Sequence, residues 1–457
     1  MKKKRVHISD IIDSQRMDVA YFMNNIGAKD YVSLSQYVTI KGGKRIPKDK
    51  TFSSESTDYL YLRLSEISDF ENIDYYNFKN INKELFEILR RYEIRNNQIV
   101  FSIAGTIGKV FVLKNIPLGK RVILTENCAM LQPKHDFVLS EYISILLNSS
   151  IVQKQIEQNR VQTTIPKIGL DRIAKLKVPI IPTLAVQQKI VEIYSKAQWA
   201  KQKKIQEAKR LLEGIDDYLF ETLKIDKTQS RIDGEKAFKK NISSLIGNRL
   251  DVSFYKDKFE MKSIIYQNEK LSSLVDIDPS IKFANLNPEM LISFIPMESI
   301  DEKYGDISEL KETTISKTKG YTRFEENDLL WAKITPCMQN GKSAIARNLK
   351  NGLGCGSTEY YVMRPKNNHI LIDYIYLILR HHEVLKAAQS SFGGSAGQQR
   401  VSSRYLKSIV IPNPDIAVQK EIVKTVYAMK YNAKQLQKEG NALLEEAKQR
   451  IEKMIIG

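Results

Sequence analysis

Cysteine is scarce in this chain of 457 residues. The three cysteines, Cys128, Cys337 and Cys355, lie far apart in the sequence. Such spacing provides neither a disulfide framework nor the paired ligands of a zinc cluster, and it suits reduced thiols in a cytosol. The sequence therefore argues against a small disulfide-stapled scaffold and favours a cytoplasmic protein.

Long hydrophobic runs are also missing. The most apolar stretch of the C-terminal half, residues 370–379, is interrupted by Asp373 and is too short to cross a bilayer. The basic residues 2–5 are followed by Val6-His7-Ile8-Ser9-Asp10, which is not the apolar segment of a signal peptide. We therefore expect neither export nor an association with a membrane.

Acidic side chains are in the minority. The chain has 53 Asp and Glu against 71 Lys and Arg, which gives a formal net charge of +18. The basic residues are scattered along the chain and are not gathered beside one amphipathic helix, a distribution that favours nucleic acid over a lipid surface as the anionic partner.

Motifs of catalytic chemistry are scarce as well. Gly105-Thr106-Ile107-Gly108-Lys109 is similar to the end of a phosphate-binding loop, but Val110 stands where Ser or Thr would ligate magnesium. Asn287-Pro288-Glu289 and Asn413-Pro414-Asp415 lack the second proline and the aromatic of an amino-methyltransferase. His381-His382 has no partner at metal-ligand spacing and is interpreted as a solvated helix end. We predict no catalytic residue, no metal site and no cofactor bound by this chain, and hence a non-enzymatic protein.

The sequence does contain an internal repeat, with matched blocks in the same order at an offset of 232 or 233 positions. The clearest pairs are Arg16-Met17-Asp18 with Arg249-Leu250-Asp251, Thr125-Glu126 with Thr358-Glu359, and the Pro-x-x-Ala-x-Gln blocks from Pro182 to Gln187 and from Pro414 to Gln419. Two copies account for nearly the whole chain, so two similar halves are predicted.

Each half is predicted to be a mixed α/β module followed by a long helix. Short β-type runs at 59–64, 98–103 and 109–113 alternate with helical segments such as 141–158. The second half repeats this pattern at 291–295, 329–333 and 343–347, with a helix near 373–388. The predicted boundaries are 1–182 for the first module, 183–224 for the first long helix, 225–413 for a linker and the second module, and 414–457 for the second long helix.

Both long helices carry an apolar seam whose residues recur at steps of three and four. Members of the seam are Ile190, Tyr194, Leu211, Ile215 and Leu219 in the first helix, and Ile422, Val426, Leu436, Leu443 and Ile451 in the second. Because neither seam can stay exposed, we predict that the helices pack against each other as a coiled-coil spacer. The alternative is that each helix packs on its own module.

Binding residues are predicted at loops that occupy equivalent places in the two modules. Hydroxyl, amide and cationic side chains of this kind contact phosphates and read base edges. The candidates are Lys41, Lys44, Arg45, Ser102, Thr106, Lys109, Thr163 and Lys167 in the first module, and Lys333, Gln339, Asn340, Lys342, Gln398, Gln399 and Arg400 in the second. Similar scaffolds with different loop side chains indicate two different half-sites, whereas plain solvated loops are the alternative.

Together these features resemble the specificity (S) subunit of type I restriction-modification systems. The resemblance covers essentially the whole chain and rests on the tandem repeat, on the Gly105 to Lys109 motif, on Gly393-Gly394-Ser395 and above all on the two Pro-x-x-Ala-x-Gln blocks. The first module departs from the family at Thr163-Thr164-Ile165-Pro166, where the second has a glycine-rich turn.

The resemblance implies an α+β fold with two tandem, pseudo-twofold-related target recognition domains joined by two long helices in an antiparallel coiled coil. It implies a non-catalytic reader of double-stranded DNA, with one domain for each half of an asymmetric bipartite target. It also implies two methyltransferase subunits that bind S-adenosylmethionine, and two restriction subunits that use ATP with Mg²⁺, as partners.

Three alternatives stay open. The chain could be the specificity subunit of a related bipartite system whose partner both methylates and cleaves. It could be a coiled-coil scaffold without DNA specificity, for which the charge of +18 would serve only solubility. It could also be an enzyme with methyltransferase or nuclease activity of its own, against which the missing motifs argue.

Overall fold

A computed structural model describes residues 31–67, 70, 73–159, 166–226, 259–281, 283, 285–393 and 398–456 of the chain. The described residues form two compact units, the first made of those within 1–204 and 438–457 and the second of those within 205–437. Three predicted features lie outside the described residues: the Arg-x-Asp blocks at 16–18 and 249–251, the contact residue Thr163, and Gly394-Ser395.

The first unit is a mixed α/β module. Its strands are β1 (Tyr31–Ser33), β2 (Val38–Gly42), β3 (Tyr59–Leu62), β4 (Lys79–Ile81), β5 (Glu93–Ile94), β6 (Ile99–Ser102), β7 (Val110–Val112), β8 (Arg121–Leu124), β9 (Cys128–Pro133) and β10 (Lys177–Pro179). Its helices are α1 (Lys83–Leu89), α2 (Ser140–Leu147), α3 (Ser150–Gln158), α4 (Leu170–Ala174) and the start of α5 (Leu184–Thr222).

These strands form two four-stranded sheets, in the orders β2-β9-β6-β7 and β4-β3-β8-β5, and a separate β1-β10 pair. Strand β6 shows how the layers are built, because its successive side chains point to opposite faces. Ile99 and Phe101 belong to the core under helix α2, whereas Val100 belongs to the core shared with the second sheet. A sheet buried on both faces explains why β6 is apolar at every position except its last.

The second unit repeats this topology strand for strand. It contains β11 (Asn268–Lys270), β12 (Val275–Ile277), β13 (Leu291–Ile295), β14 (Lys311–Thr314), β15 (Thr322–Glu325), β16 (Leu329–Ala332), β17 (Ser343–Ile345), β18 (Leu353–Gly356), β19 (Tyr360–Pro365) and β20 (Val410–Pro412). Its helices are the end of α5, then α6 (Leu271–Leu274), α7 (Ile372–Arg380), α8 (His382–Ser390), α9 (Ser403–Ser408) and the first half of α10 (Ile416–Ile456).

The sheet orders of the second unit, β12-β19-β16-β17 and β14-β13-β18-β15, match those of the first unit position by position. The parallel pairing of β3 with β8 likewise recurs as the parallel pairing of β13 with β18. The predicted mixed α/β repeat is therefore confirmed. One difference is helix α1, which follows β4; after β14 the described chain has only a short 3-10 turn, Ile315–Lys317.

Helices α5 and α10 contain 39 and 41 residues, so each is about 60 Å long at about 1.5 Å per residue. In the first unit, the start of α5 meets the end of α10. Ile190 shares a core with Ile451 and Ile455, and the Lys204 ammonium lies 2.6 Å from the Glu439 carboxylate. Residue numbers increase along α5 in the direction in which they decrease along the facing part of α10, so the two helices are antiparallel.

The second unit contains the complementary halves of the same helices, again antiparallel. Near the middle of the helices Ala208 and Ala433 are both fully buried in one cluster. Towards the end of α5, Leu219 shares a core with Ile422 and Val426 from the start of α10. The predicted pairing of the two long helices is confirmed, and each helix also packs on the module cores, so the two packing modes are not alternatives.

The predicted seam is wrong at one position. Five members are buried (Ile190, Leu219, Ile422, Val426 and Ile451) and four are partly buried (Tyr194, Leu211, Ile215 and Leu436). Leu443, however, is 38% exposed, and its neighbour Leu444 is buried instead. From Gly440 the buried positions continue at 444, 447 and 451, so the seam takes a step of four where a step of three was predicted.

The Pro-x-x-Ala-x-Gln block is a buried clamp at the start of each long helix. In the first unit the Gln187 side chain is fully buried. Its Oε1 accepts the backbone N–H of Leu139 at 3.0 Å, and its Nε2 donates to the carbonyl oxygens of Phe137 and Pro182 at 2.8 and 2.9 Å. The amide thus ties the first turn of α5 to the loop that precedes α2.

The second unit contains the same clamp. Buried Gln419 accepts the backbone N–H of Leu371 at 2.9 Å and donates to the carbonyl oxygens of His369 and Pro414 at 3.0 and 2.9 Å. An amide is suited to this position because it supplies both a donor and an acceptor inside a buried core.

No described helix combines the length and the hydropathy needed to span a bilayer.

Candidate nucleic-acid interface

The predicted contact loops of the first unit meet at one edge of its sheets, around the turn between β8 and β9. The backbone N–H of Gly43, just after β2, donates to the Cys128 carbonyl at 2.9 Å, and that of Ile103, just after β6, donates to the Asn127 carbonyl at 2.8 Å. A Cβ on Gly43 would lie 2.0 Å from a backbone oxygen of the turn, so only glycine allows this approach.

A further loop joins this edge from the segment before α4. The backbone N–H of Gly105 donates to the Pro166 carbonyl at 3.2 Å, and Ala104 forms an isolated β-bridge with Lys167. We call the exposed side chains gathered here the first edge, which comprises Lys44, Arg45, Thr106, Lys109 and Lys167. Lys41 is exposed on β2, opposite Met130 of β9.

Ser102 was predicted as a contact residue, and the structure contradicts this. Its side chain is 0% exposed, and its Oγ accepts the backbone N–H of Lys109 at 2.8 Å. The hydroxyl therefore closes the base of the β6–β7 loop and has no surface to offer a ligand. Gly108 in the same loop has a φ of +82°, so its role is conformational and does not need a phosphate.

Arg45 of the first edge is held by a glutamate that was not predicted as part of the site. Its side chain is 77% exposed, and its Nε donates to Oε1 of Glu126 at 2.6 Å. Oε2 of Glu126 accepts the hydroxyl of Tyr61 at 3.2 Å. Burial raises the pKa of the Glu126 carboxyl, but hydrogen bonds from the Arg45 side chain, the Glu126 backbone and the Thr125 hydroxyl outweigh burial and leave the pKa below its usual range.

The second unit builds an equivalent edge from equivalent loops. The backbone N–H of Lys333, just after β16, donates to the carbonyl of Glu359 in the β18–β19 turn at 2.9 Å. The backbone N–H of Thr335 donates to the Gln399 carbonyl at 3.0 Å, which brings in the segment before α9. We call the side chains gathered here the second edge, which comprises Lys333, Gln339, Asn340, Gln398, Gln399 and Arg400.

Lys342 was predicted as a contact residue of this edge, and its surroundings contradict that. Its side chain is only 14% exposed. Its ammonium donates to the Met297 carbonyl at 3.2 Å and lies 3.7 Å from the Glu302 carboxylate. The Lys342 ammonium is therefore bound by groups within the unit.

Lys333 is half-buried, with its ammonium 5.2 Å from the centre of the Tyr361 ring.

Arg400 of the second edge forms a bidentate ion pair. Its Nε and Nη2 donate to the two carboxylate oxygens of Glu359 at 2.9 and 2.8 Å, and its Nη1 donates to the Gln398 carbonyl at 3.0 Å. The hydrogen bonds from Arg400 lower the pKa of the Glu359 carboxyl against the opposing effect of burial. Sequence reasoning missed Glu126 and Glu359, although their Thr-Glu blocks were visible in the repeat.

One group of three potential metal ligands occurs among the described residues, formed by Asp216, His381 and His382. His381 is fully buried, so the prediction of a solvated helix end is wrong for this residue. Its Nδ1 accepts the backbone N–H of Glu383 at 3.2 Å, which places the imidazole proton on Nε2. Burial lowers the pKa of His381, so its imidazole is held neutral, with the proton on the nitrogen that lies 3.9 Å from the Asp216 carboxylate.

The Asp216 carboxylate has a structural role in the second unit, and a different carboxylate has the same role in the first unit. It accepts the backbone N–H of His382, the first residue of α8, at 3.2 Å. In the first unit, Glu452 of α10 accepts the backbone N–H of Ser150, the first residue of α3, at 2.5 Å. Each carboxylate therefore caps the N-terminus of an equivalent helix. Capping accounts for the position of the Asp216 carboxylate beside His382.

Two copies of one module, each presenting a polar and basic edge, define a tandem binding scaffold. The family described as "Type I restriction modification DNA specificity domain" matches residues 28–210 and again residues 266–446. The chain belongs to this family and contains its domain twice.

Two curated relatives are the specificity subunits of the type I restriction enzymes EcoEI and EcoAI of Escherichia coli. This chain is 34% identical to the first over 187 residues and 34% identical to the second over 186 residues. Each match covers 40% of this chain and 31% of the relative, so the chain spans about a third of the relatives' length.

A solved structure from a study of complex assembly and conformational transition of the type I restriction-modification system is similar over 93% of this chain and 96% of its own. Its TM-score is 0.52 at 12% sequence identity. At that identity the similarity concerns the fold alone.

Proposed function

We propose that this chain is the DNA-specificity subunit of a type I restriction-modification complex and reads an asymmetric, bipartite sequence in double-stranded DNA. The observation that carries the proposal is the pair of edges. The same strands and turns present Thr106, Lys109 and Lys167 at the first edge but Gln339, Asn340 and Arg400 at the second. Different donors and acceptors on one scaffold suit two different half-sites.

The chain itself is proposed to be non-catalytic and to bind no cofactor. Methyl transfer from S-adenosylmethionine would be the task of two methyltransferase subunits, and ATP- and Mg²⁺-dependent cleavage that of two restriction subunits. The chain would supply sequence selection together with its net charge of +18, which suits a polyanionic partner in the cytoplasm.

Mapping methylated adenines tests this proposal. Cells that express the chain with its cognate methyltransferase subunit are expected to show methylation at a two-part motif that is absent when the chain is omitted. Unchanged methylation in the two strains would refute the specificity role.

Co-purification separates the closest alternative, because a partner that both methylates and cleaves would appear as one fused polypeptide in place of separate subunits.

Two exposed aromatic side chains mark candidate docking positions for the methyltransferase subunits. Trp199 on α5 is 68% exposed and Tyr431 on α10 is 62% exposed. They occupy equivalent places in the repeat, at an offset of 232 positions. Large aromatics on an otherwise polar face are typical anchors of protein interfaces, and a repeated anchor suits two copies of one partner.

Trp199→Ala and Tyr431→Ala are each expected to weaken the binding of one of the two methyltransferase subunits about tenfold or more. Titration calorimetry with the purified methyltransferase subunit measures this as a two-site isotherm that changes from equal sites to unequal ones. Tyr76→Ala is a matched control, because Tyr76 is 81% exposed but lies on a 3-10 turn of the first unit and not on a long helix. Two unaltered sites in both helix variants would remove these aromatics from the interface.

A further inference from the structure

The backbone of Arg400 is fixed more firmly than that of an ordinary loop residue. Its N–H donates to the Gly393 carbonyl at 3.0 Å, and its own carbonyl accepts the Gly393 N–H at 3.1 Å. On its other side the N–H of Val401 donates to the Lys333 carbonyl at 3.0 Å, and an isolated bridge pairs Arg400 with Ile334. Arg400 thus lies between two backbone segments that hold it from both sides.

The side chain of Arg400 is fixed as well, but only in part. A guanidinium has five N–H bonds. Three of them are directed at Glu359 and at the Gln398 carbonyl. The other two N–H bonds are one on each terminal nitrogen, and the outer fork of a guanidinium lies between these two nitrogens. The Arg400 side chain is 43% exposed, which leaves this fork room to meet a ligand.

We infer that Arg400 reads a guanine in the half-site contacted by the second unit, and that Glu359 is the positioning residue that aims its fork. The inference rests on the proposed function. In the major groove, guanine presents two adjacent acceptors, O6 and N7, which match two parallel N–H donors. Adenine offers one acceptor beside a donor, so a fixed fork discriminates against it.

A DNA phosphate also accepts two N–H bonds, but the charges around Arg400 disfavour it. The Glu359 carboxylate, 2.8 Å from Nη2, compensates the guanidinium charge and would repel a phosphate placed close by. A base edge carries no net charge, so it retains the benefit of directional donors without that repulsion. The ion pair therefore favours base reading over backbone binding.

Arg45 of the first edge provides a comparison within the same molecule. It donates to Glu126 through Nε alone, at 2.6 Å, and its side chain is 77% exposed. One hydrogen bond does not fix the rotation of the guanidinium, so Arg45 presents no preset fork. We expect base discrimination to depend less on Arg45 than on Arg400.

The test uses the full chain with its methyltransferase subunit and reads methylation motifs genome-wide, together with binding to DNA carrying a randomised half-site. In the wild type, one half-site is expected to contain a fixed guanine. Arg400→Ala should reduce the preference for that guanine at least tenfold and leave the other half-site unchanged. Arg400→Lys should have the same effect while retaining the positive charge, because an ammonium has no planar fork.

Glu359→Gln separates positioning from a merely structural role. This variant keeps Arg400 but removes the charge that compensates it. We expect a smaller loss of guanine preference than in Arg400→Ala, combined with a steeper salt dependence, since an uncompensated guanidinium binds phosphate. Arg90→Ala is the control, because Arg90 forms an exposed pair with Glu87 on the first unit and is not part of either edge.

Three results would overturn the inference. They are unchanged base preferences in Arg400→Ala and Arg400→Lys, a loss of affinity that is uniform across sequences, or an unchanged salt slope in Glu359→Gln. A wild-type chain that directs no two-part motif would instead refute the proposed function, and that result is obtained before any variant is compared. The Lys variant keeps the test valid if Arg400→Ala unfolds.

Discussion

A chain that ends at residue 437 is expected to lose the core of its first unit and to keep that of its second. The removed residues lie in the last part of α10, yet Ile451 and Ile455 are buried in the same core as Ile190, and Met454 packs against that core. Burial of each such side chain contributes about 1.5–3 kcal/mol. Losing three of them removes an amount comparable to the ~5–15 kcal/mol stability of a whole domain.

Hydrogen exchange followed by mass spectrometry distinguishes the two units. In the shortened chain, amides of β6 and α2 should exchange rapidly, whereas those of β16 and α7 should stay protected. A matched pair of point variants repeats the test in the full chain: Ile451→Asp should deprotect the first unit, and Leu443→Asp, at a position that is 38% exposed, should not. Full protection of β6 in the shortened chain would contradict the assignment of the helix end to the first unit.

Gln187→Leu is expected to destabilise the first unit by about 2–4 kcal/mol. Leucine fills a similar volume but cannot accept or donate, so the N–H of Leu139 and the carbonyls of Phe137 and Pro182 lose their partner inside the protein. Each buried polar group left unpaired costs about 1–3 kcal/mol. Partial relaxation of the loop towards water reduces the sum.

The neighbouring residue provides the control for this prediction. Gln188 is exposed, so Gln188→Leu makes the same chemical change one position along the same helix and should shift stability by no more than about 0.5 kcal/mol. Urea titrations monitored by exchange of β6 amides compare the two variants directly. Equal midpoints would show that the buried amide contributes nothing to the stability of the unit.

Much of the fold can be predicted from the sequence, because the repeat is visible in the apolar positions and in the motif blocks. The offset of 232 positions between the Gln187 and Gln419 blocks predicts two equal halves, and the two sheet orders confirm them. The error at Leu443 has a simple cause: two adjacent leucines fit the seam equally well, and only packing across the helix pair selects Leu444.

The candidate interface was accessible only in part, because loop sequences do not reveal which polar side chains are used internally. Ser102 and Lys342 have the chemistry of contact residues, but their hydrogen bonds close a loop and bind a neighbouring carbonyl. The pairs of Arg45 with Glu126 and of Arg400 with Glu359 join loops that are distant in sequence. The spacing of apolar residues predicts which positions are buried, but it carries no information about ion pairs between distant loops.

The division of α10 between the two units also has a consequence for biosynthesis. The first unit includes residues 438–457, which are translated after the entire second unit. At about 5–20 residues per second, the roughly 230 residues that follow Lys204 take on the order of 10–50 s to emerge. During that interval the nascent first unit presents an open apolar groove where Ile451 and Ile455 will pack. The first unit therefore completes its core only after the second unit has been synthesised.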